Sequence, residues 1–228
     1  MKKYSKEVLD NIEAVRSRRL LPNNHKMYLN KIKEKFGFYP RVAYDIGSCA
    51  MHWTDEAIEI WPESKIILFD AIDLFENLYS KNSYDYHLGV LSNESNKIVR
   101  FYQNDEWFGG NSYYRENPKY SKPAEYLYDE SKIVELSTIT LDDVVKNRSF
   151  PAPDLIKMDV QGAELDVIMG ATESLKTCEH LIIELRDVEY NIGSPEREVV
   201  IDYLASQGFE SMGMFSNNGP DGDYHFMR

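Results

Sequence analysis

The sequence predicts an open α/β fold, a mostly parallel sheet with helices on both faces and one mixed edge. Three observations carry this. From Val42 onward, short apolar runs alternate with helical stretches, the order that builds parallel sheets. The runs themselves are apolar almost throughout, as strands covered on both faces are. Finally, "FESMGMF" and "DYHFMR" flank the turn-rich "SNNGPDG", which reads as an antiparallel hairpin.

In chain order, residues 4–20 and 24–36 read as two helices separated by the turn cluster "LPNN". They form a helical extension over 1–40, ahead of an α/β domain over 41–228. "RVAYDIG" is a strand, followed by a helix through "DEAIEIW"; "SKIILFDA" is a second strand, followed by the helical "IDLFENLYS". "YDYHLGVLS" and "KIVRFYQ" read as further strands. A long polar and aromatic stretch leads to "TITLDDVVKN", the strand "DLIKMD", a helix over Ala163–Leu175 and the strand "HLIIEL". For the last helix, Ser194 is the expected N-cap, Pro195 the first helical residue and Gly208 the residue after the C-cap.

A chain of 228 residues suffices for one domain with a real core. No apolar run approaches the eighteen or so residues of a membrane span. "MKKYSKEVLDNIEAV" lacks the apolar centre of a signal peptide. Cys49 and Cys178 stand far apart without metal-ligand spacing, which predicts a reduced, cytoplasmic protein without structural zinc. The net charge of −12 divides unevenly: residues 1–40 carry ten Lys/Arg against four Asp/Glu, leaving −18 on the rest. An acidic body is a poor footprint for nucleic acid, and the basic segment reads as a solvated helical face.

Open α/β sheets bind ligands beyond the carboxyl ends of their strands. The first strand ends in Asp45 and Gly47, followed by the small Ser48; the second ends in Asp70 and Ala71. Asp70 lies at the separation from Gly47 at which a carboxylate takes the hydroxyls of an adenosine ribose. The full G-x-G-x-x-G of dinucleotide sites is absent, which favours S-adenosylmethionine over NAD. The strand "DLIKMD" carries Lys157 and Asp159 on the face opposite Ile156 and Met158, and Glu184 interrupts the next apolar strand. Buried charges need partners, so charged ends on two neighbouring strands point to a shared site.

"DLIKMDVQGAELDVIMGA", preceded by "TITLDDVV" and followed by "HLIIEL", resembles the FkbM-type methyltransferases over roughly Val42 to Phe209. The family pattern D-x-G-A-N-x-G-x-x-T aligns with "DIGSCAMHWT", matching Asp45, Gly47 and Thr54. Ser48, Cys49 and Met51 replace its Ala, Asn and second Gly. Asp70 stands for the usual Glu, and Gln161 for the commoner Glu. The resemblance implies a Rossmann-like class I methyltransferase fold with seven strands in the order 3-2-1-4-5-7-6. It also implies S-adenosylmethionine as cofactor and O-methylation of a sugar, glycan or related natural product. Asp45, Gly47, Ser48, Asp70, Ala71, Gly89 and Val90 are then the cofactor residues, with Leu91 beside the adenine.

An alcohol acceptor needs a group to take its proton. Asp159 is the expected base, Lys157 its positioner or an orienter of the acceptor, and Glu184 the completion of the polar site. Asp159 and Glu184 could instead hold a divalent cation, with the base at His52; no cation is predicted, and His52 also reads as a helix-surface residue. Gly162 and Ala163 shape the following turn, and Glu164 complements the helix start. The acceptor residues are expected in "NDEWFGGNSYYRENPKY": Trp107, Asn111, Ser112, Tyr113 and Arg115. The alternative there is a mobile loop with packing aromatics. The two helices of residues 1–40 either cap the crevice or form a homo-oligomer contact. Two rival functions remain: a binding module that has lost catalysis, on the altered "GSCAMHW", and an NAD-dependent enzyme.

Overall fold

In the computed structural model, which describes residues 4–18, 21 and 23–228, the chain begins with helices α1 (Lys6–Ser17) and α2 (Asn23–Phe36). Arg19, Leu20 and Pro22, which the expected first helix and turn include, lie outside the described residues. Ser5 caps α1 by accepting from the Val8 amide. Then come β1 (Val42–Ile46), α3 (His52–Ile60), β2 (Lys65–Asp70), α4 (Glu76–Lys81), β3 (Asp85–Leu88), β4 (Val90–Leu91), β5 (Ile98–Tyr102) and α5 (Ala124–Leu127). The chain continues with β6 (Ile133–Ile139), α6 (Leu141–Arg148), β7 (Leu155–Met158), α7 (Glu164–Met169), β8 (His180–Arg186), α8 (Arg197–Ser206), β9 (Glu210–Asn217) and β10 (Asp221–Met227).

Seven strands form the main sheet in the order β3-β2-β1-β7-β8-β10-β9. Counted along the chain within that sheet, this is the expected 3-2-1-4-5-7-6. All pairings are parallel except those of β10, which runs against both β8 and β9. Alternation divides the core. Tyr44, Ile46, Ile156 and Met158 face one layer with α6, α7 and α8. Ala43, Leu68, Leu155 and Ile182 face the other, with Leu29, Ile32, Trp53 and Ala57. On that second side α2 is pinned to the hairpin: Tyr28 stacks on Phe215, and His25 bonds Asp223 at 2.8 Å.

Three expectations are corrected. "YDYHLGVLS" is not one strand: β3 stays in the main sheet, and after Gly89 β4 joins a separate three-stranded sheet, β4-β6-β5. The helix from Ala163 stops at Met169 and resumes only as a single turn over Ser174–Lys176. Gly170 packs so tightly there that a Cβ would come within 2.2 Å of the Ser92 carbonyl oxygen. Helix α8 starts at Arg197, with Glu196 in the N-cap position, because the Ser194 hydroxyl is engaged by the Asn191 carbonyl. Its far end is as expected: the Gly208 and Phe209 amides donate to Ala205 and Leu204, a Schellman closure.

Candidate active site

The site begins where β1 ends. The amides of Gly47 and Ser48 both donate to the Phe69 carbonyl, at 2.9 and 3.1 Å, tying the turn to β2. Gly47 has φ +79°, and a Cβ on it would lie 1.8 Å from the Asp159 carbonyl oxygen. No other residue fits between the ends of β1 and β7. Two residues on, the backbone is left-handed again at Cys49 (φ 46°) and Met51 (φ 67°). These are the positions where the resemblance has Asn and Gly, the residues that enter this region most readily. The turn geometry has been kept with side chains that strain it.

Parallel register places Asp45 directly beside Lys157. Asp45 is fully buried; the Thr54 hydroxyl donates to its Oδ2 at 2.6 Å, while its Oδ1, without a hydrogen bond, faces Lys157 Nζ at 3.6 Å. The lysine also lies 3.8 Å from Asp159 Oδ2. Burial pushes the Asp45 carboxyl above the usual carboxylate range despite Lys157. Burial alone would depress the Lys157 ammonium, but Asp45 and Asp159 outweigh it and hold it charged. Burial works against an ionised Asp159, yet Lys157, hydrogen bonds with Glu184 and Gln161, and the Arg186 charge together outweigh it, and Asp159 lies below its ordinary value.

Beyond Asp159 the network continues through residues that sequence reasoning left without a role. Gln161 Nε2 donates to Asp159 Oδ1 at 2.7 Å and to Glu184 Oε2 at 3.3 Å. Arg186, 8% exposed, donates to Gln161 Oε1 at 2.9 Å and to Glu184 Oε2 at 3.0 Å, and pairs with Glu164 at 3.6 Å. Burial, then the Asp159 charge, drives the Glu184 carboxyl far above the ordinary range. Arg186 stands two residues after Glu184 on the same strand face, and that spacing was the available signal.

One cavity runs along these strand ends. Gly47, Ser48, Asp70, Ala71, Gly89 and Val90 line it, as do Lys157 and Asp159. Asp70 Oδ2 accepts from the Cys49 amide and Oδ1 from the Ile72 amide, and burial pushes its pKa up to about 6. Neither Asp45 nor Glu184 lines the cavity; Glu184 is joined to it through its hydrogen bonds with Asp159 and Gln161, which do. Asn111, Ser112 and Tyr113 form the opposite wall with Phe101 and Phe108. Asn111 spends its amide on the Asn104 backbone, and the Tyr113 hydroxyl donates to Asp166 at 2.9 Å. Trp107, 59% exposed, and Arg115, turned toward the carbonyls of Ala124 and Glu125, stand outside the lining. His52 lines the cavity, but its Nε2 is bonded to the Val15 carbonyl oxygen. Helix α1 thus reaches the rim, with Arg16 on Asp55 and Asn11 on the Glu106 carbonyl.

A divalent cation does not fit between Asp159 and Glu184. The Gln161 amide NH2 donates to both carboxyl groups and the Arg186 guanidinium donates to Glu184, so donors rather than open lone pairs face one another there. Among the described residues no group of three or more His, Cys, Asp or Glu is arranged to hold a metal.

The fold is the one the sequence predicted, and comparison with known proteins identifies the family. Residues 11–211 match the methyltransferase FkbM domain, and the chain belongs to that family. The match reaches back into α1 and α2. Among curated proteins, the 2-O-methyltransferase NoeI of Sinorhizobium fredii is 37% identical over 90 residues, 40% of this chain and 36% of NoeI. The hexuronic acid methyltransferase AglP of Haloferax volcanii is 36% identical over 50 residues, 22% of this chain and 21% of AglP. The matched segments thus span well under half of either relative. Among solved structures, the FkbM methyltransferase of Methylobacillus flagellatus superposes with a TM-score of 0.51 at 12% identity, covering 97% of this chain and 59% of that one. Human N-acetylserotonin methyltransferase, in complex with SAM, gives 0.50 at 11%, covering 97% and 56%. At such identities the likeness is one of fold.

Proposed function

We propose that this protein is an S-adenosylmethionine-dependent O-methyltransferase acting on a hydroxyl of a sugar, glycan or related natural product. The observation that carries this is one cavity holding both a strand-end acid suited to a ribose, Asp70 at the end of β2, and an ionised carboxylate, Asp159, just past β7, with β1 and its Gly47 turn between them. The printed names of the two curated relatives support a sugar hydroxyl as acceptor. Two free cysteines accord with a cytoplasmic location.

When bound, S-adenosylmethionine supplies the methyl group. Asp70, Ala71, Gly89 and Val90 would hold its adenosine, and the Gly47–Ser48 turn its methionine end. Asp159 takes the acceptor's hydroxyl proton as oxygen attacks, and Lys157 keeps Asp159 ionised and ready to do so. Burial and the Asp159 charge raise the Glu184 carboxyl well above its ordinary value, which disfavours a second charge beside Asp159. The wall of Asn111, Ser112 and Tyr113 closes the acceptor side, with Trp107 and Arg115 at its margin. The remaining contribution is alignment of acceptor oxygen with the bond to be broken.

The test pairs binding with turnover. S-adenosylhomocysteine should raise the melting temperature and NADH should not; the reverse result would end the reading. With methyl-labelled cofactor and a panel of neutral and acidic sugars, Asp159→Asn should lose about a hundredfold or more in kcat while keeping its S-adenosylhomocysteine affinity. Native turnover in that variant would remove Asp159 from the role of base.

A further inference from the structure

The proposed reaction uses Asp159 and Glu184 but has no task for the side chain between them. Gln161 holds a left-handed backbone, φ +57°, which residues other than Gly and Asn enter at a cost. Its amide orientation follows from chemistry. A guanidinium only donates hydrogen bonds, so the atom 2.9 Å from Arg186 must be the amide oxygen. The NH2 group therefore faces the carboxyl groups, reaching Asp159 at 2.7 Å and Glu184 at 3.3 Å. Arg186 is fixed in turn by Glu184 and by Glu164. Glu164 accepts from the amides of Val160 and Gly162, the residues on either side of Gln161. The turn after β7 and the end of β8 are thus closed into one polar ring.

We propose that Gln161 is a positioning residue: its amide, oriented by Arg186, holds Asp159 and Glu184 as one pair and leaves the free lone pairs of Asp159 facing the cavity. This rests on the reading of Asp159 as the base. Donating to Asp159 Oδ1 while Lys157 Nζ stands 3.8 Å from Oδ2, the two groups fix the carboxylate plane. The FkbM pattern more commonly has Glu here, which would still pair with Arg186; in this chain the Gln161 amide gives Asp159 a donor where a glutamate would give it an acceptor. The charged groups facing the pair are Lys157 on β7, Asp45 on β1, Glu164 at the start of α7, Arg186 on β8, and Asp221 and Asp223 on β10.

The experiment uses the full chain in two variants, Gln161→Gly and Gln161→Glu, read by carbon-13 carboxyl NMR titration with and without S-adenosylhomocysteine. Asp159→Asn and Glu184→Gln assign the two signals. Glycine suits the backbone at 161, so a purely structural role leaves the titrations unmoved in Gln161→Gly. We expect instead that the separation between the Asp159 and Glu184 midpoints narrows by about one pH unit or more. In Gln161→Glu, which keeps the side chain's shape and carries the test even without the glycine variant, Asp159 should titrate higher by a similar amount. The acid limb of kcat should follow it, with KM for S-adenosylmethionine unchanged. Native midpoints in both variants overturn the proposal. Shifted midpoints with a fully active Asp159→Asn would instead leave the positioning intact and remove Asp159 as base. Native midpoints with an inactive Asp159→Asn would do the opposite.

Discussion

Replacing Lys157 by methionine removes the positive charge nearest Asp45 while keeping most of the side-chain volume. Asp45 is fully buried, and its Oδ1 lies 3.6 Å from Lys157 Nζ with no hydrogen bond of its own. At an effective dielectric constant of about 20, a unit pair at that distance interacts by about 4–5 kcal/mol. Orphaning a buried charge costs about 3–5 kcal/mol, so the two figures agree. The sign with pH follows from burial. The Asp45 carboxyl already stands above its ordinary value of 3.8 with Lys157 pulling it down, and without the lysine it rises further. The folded variant then binds a proton that the unfolded chain releases, so its stability is kept at acid pH and lost as pH rises through the folded pKa. Asp159 adds in the same direction. Lys157 holds it low, and that stabilisation exists only above the unfolded value. Urea unfolding followed by circular dichroism should show a loss of about 3–5 kcal/mol near pH 8, falling to about 1–2 near pH 4.5. An equal loss at both pH values would refute the reasoning. Adding Asp45→Asn to the variant should recover over half of the loss at pH 8, because a neutral buried pair replaces a lone charge.

Three further outcomes are expected. Gly47→Ala must leave its left-handed conformation or push against the Asp159 carbonyl. Backbone strain alone costs about 1–2 kcal/mol, and S-adenosylhomocysteine affinity by calorimetry should fall at least about tenfold. Met51→Gly relieves about 1 kcal/mol of strain but empties a fully buried methionine site worth about 2–5 kcal/mol, so thermal unfolding should move down, not up. On the proposed reading of Asp70 as the ribose carboxylate, and with its pKa pushed up to about 6, cofactor-product affinity should be flat above about pH 7. Below that midpoint it should fall about tenfold per pH unit; Asp70→Asn should show a lower affinity without this slope.

Hydrophobic patterning made the sheet legible, because strands buried on both faces leave near-continuous apolar runs and few alternatives. Lys157, Asp159 and Glu184 were legible as charges where burial forbids unpartnered ones. Their mutual arrangement was not, since register decides it: Asp45 meets Lys157 only because β1 and β7 pair in phase. Gln161 and Arg186 were given no site role for a related reason. A glutamine in a turn and an arginine near a strand end look solvated until the fold encloses them. The second sheet, β4-β6-β5, was obscured because only Gly89 separates Leu88 of β3 from Val90 and Leu91, with no polar or proline break between them. Ser194 misled as a cap because the nearer Asn191 carbonyl claims its hydroxyl before the helix begins.

The place of β10 has a consequence for how the molecule is assembled. The strand that completes β8 is the last of the seven in the order of synthesis, yet it lies inside the sheet, between β8 and β9. Until Asp221–Met227 has docked, β8 has an open edge just where it bears Glu184 and Arg186. The polar ring around Gln161 is therefore completed late, after the half of the sheet that holds Gly47 and Asp70 has every partner it needs. A nascent chain would pair the Gly47 turn first and enclose Glu184 and Arg186 afterwards. The order of synthesis favours that sequence of events, with long-range pairing the slow step.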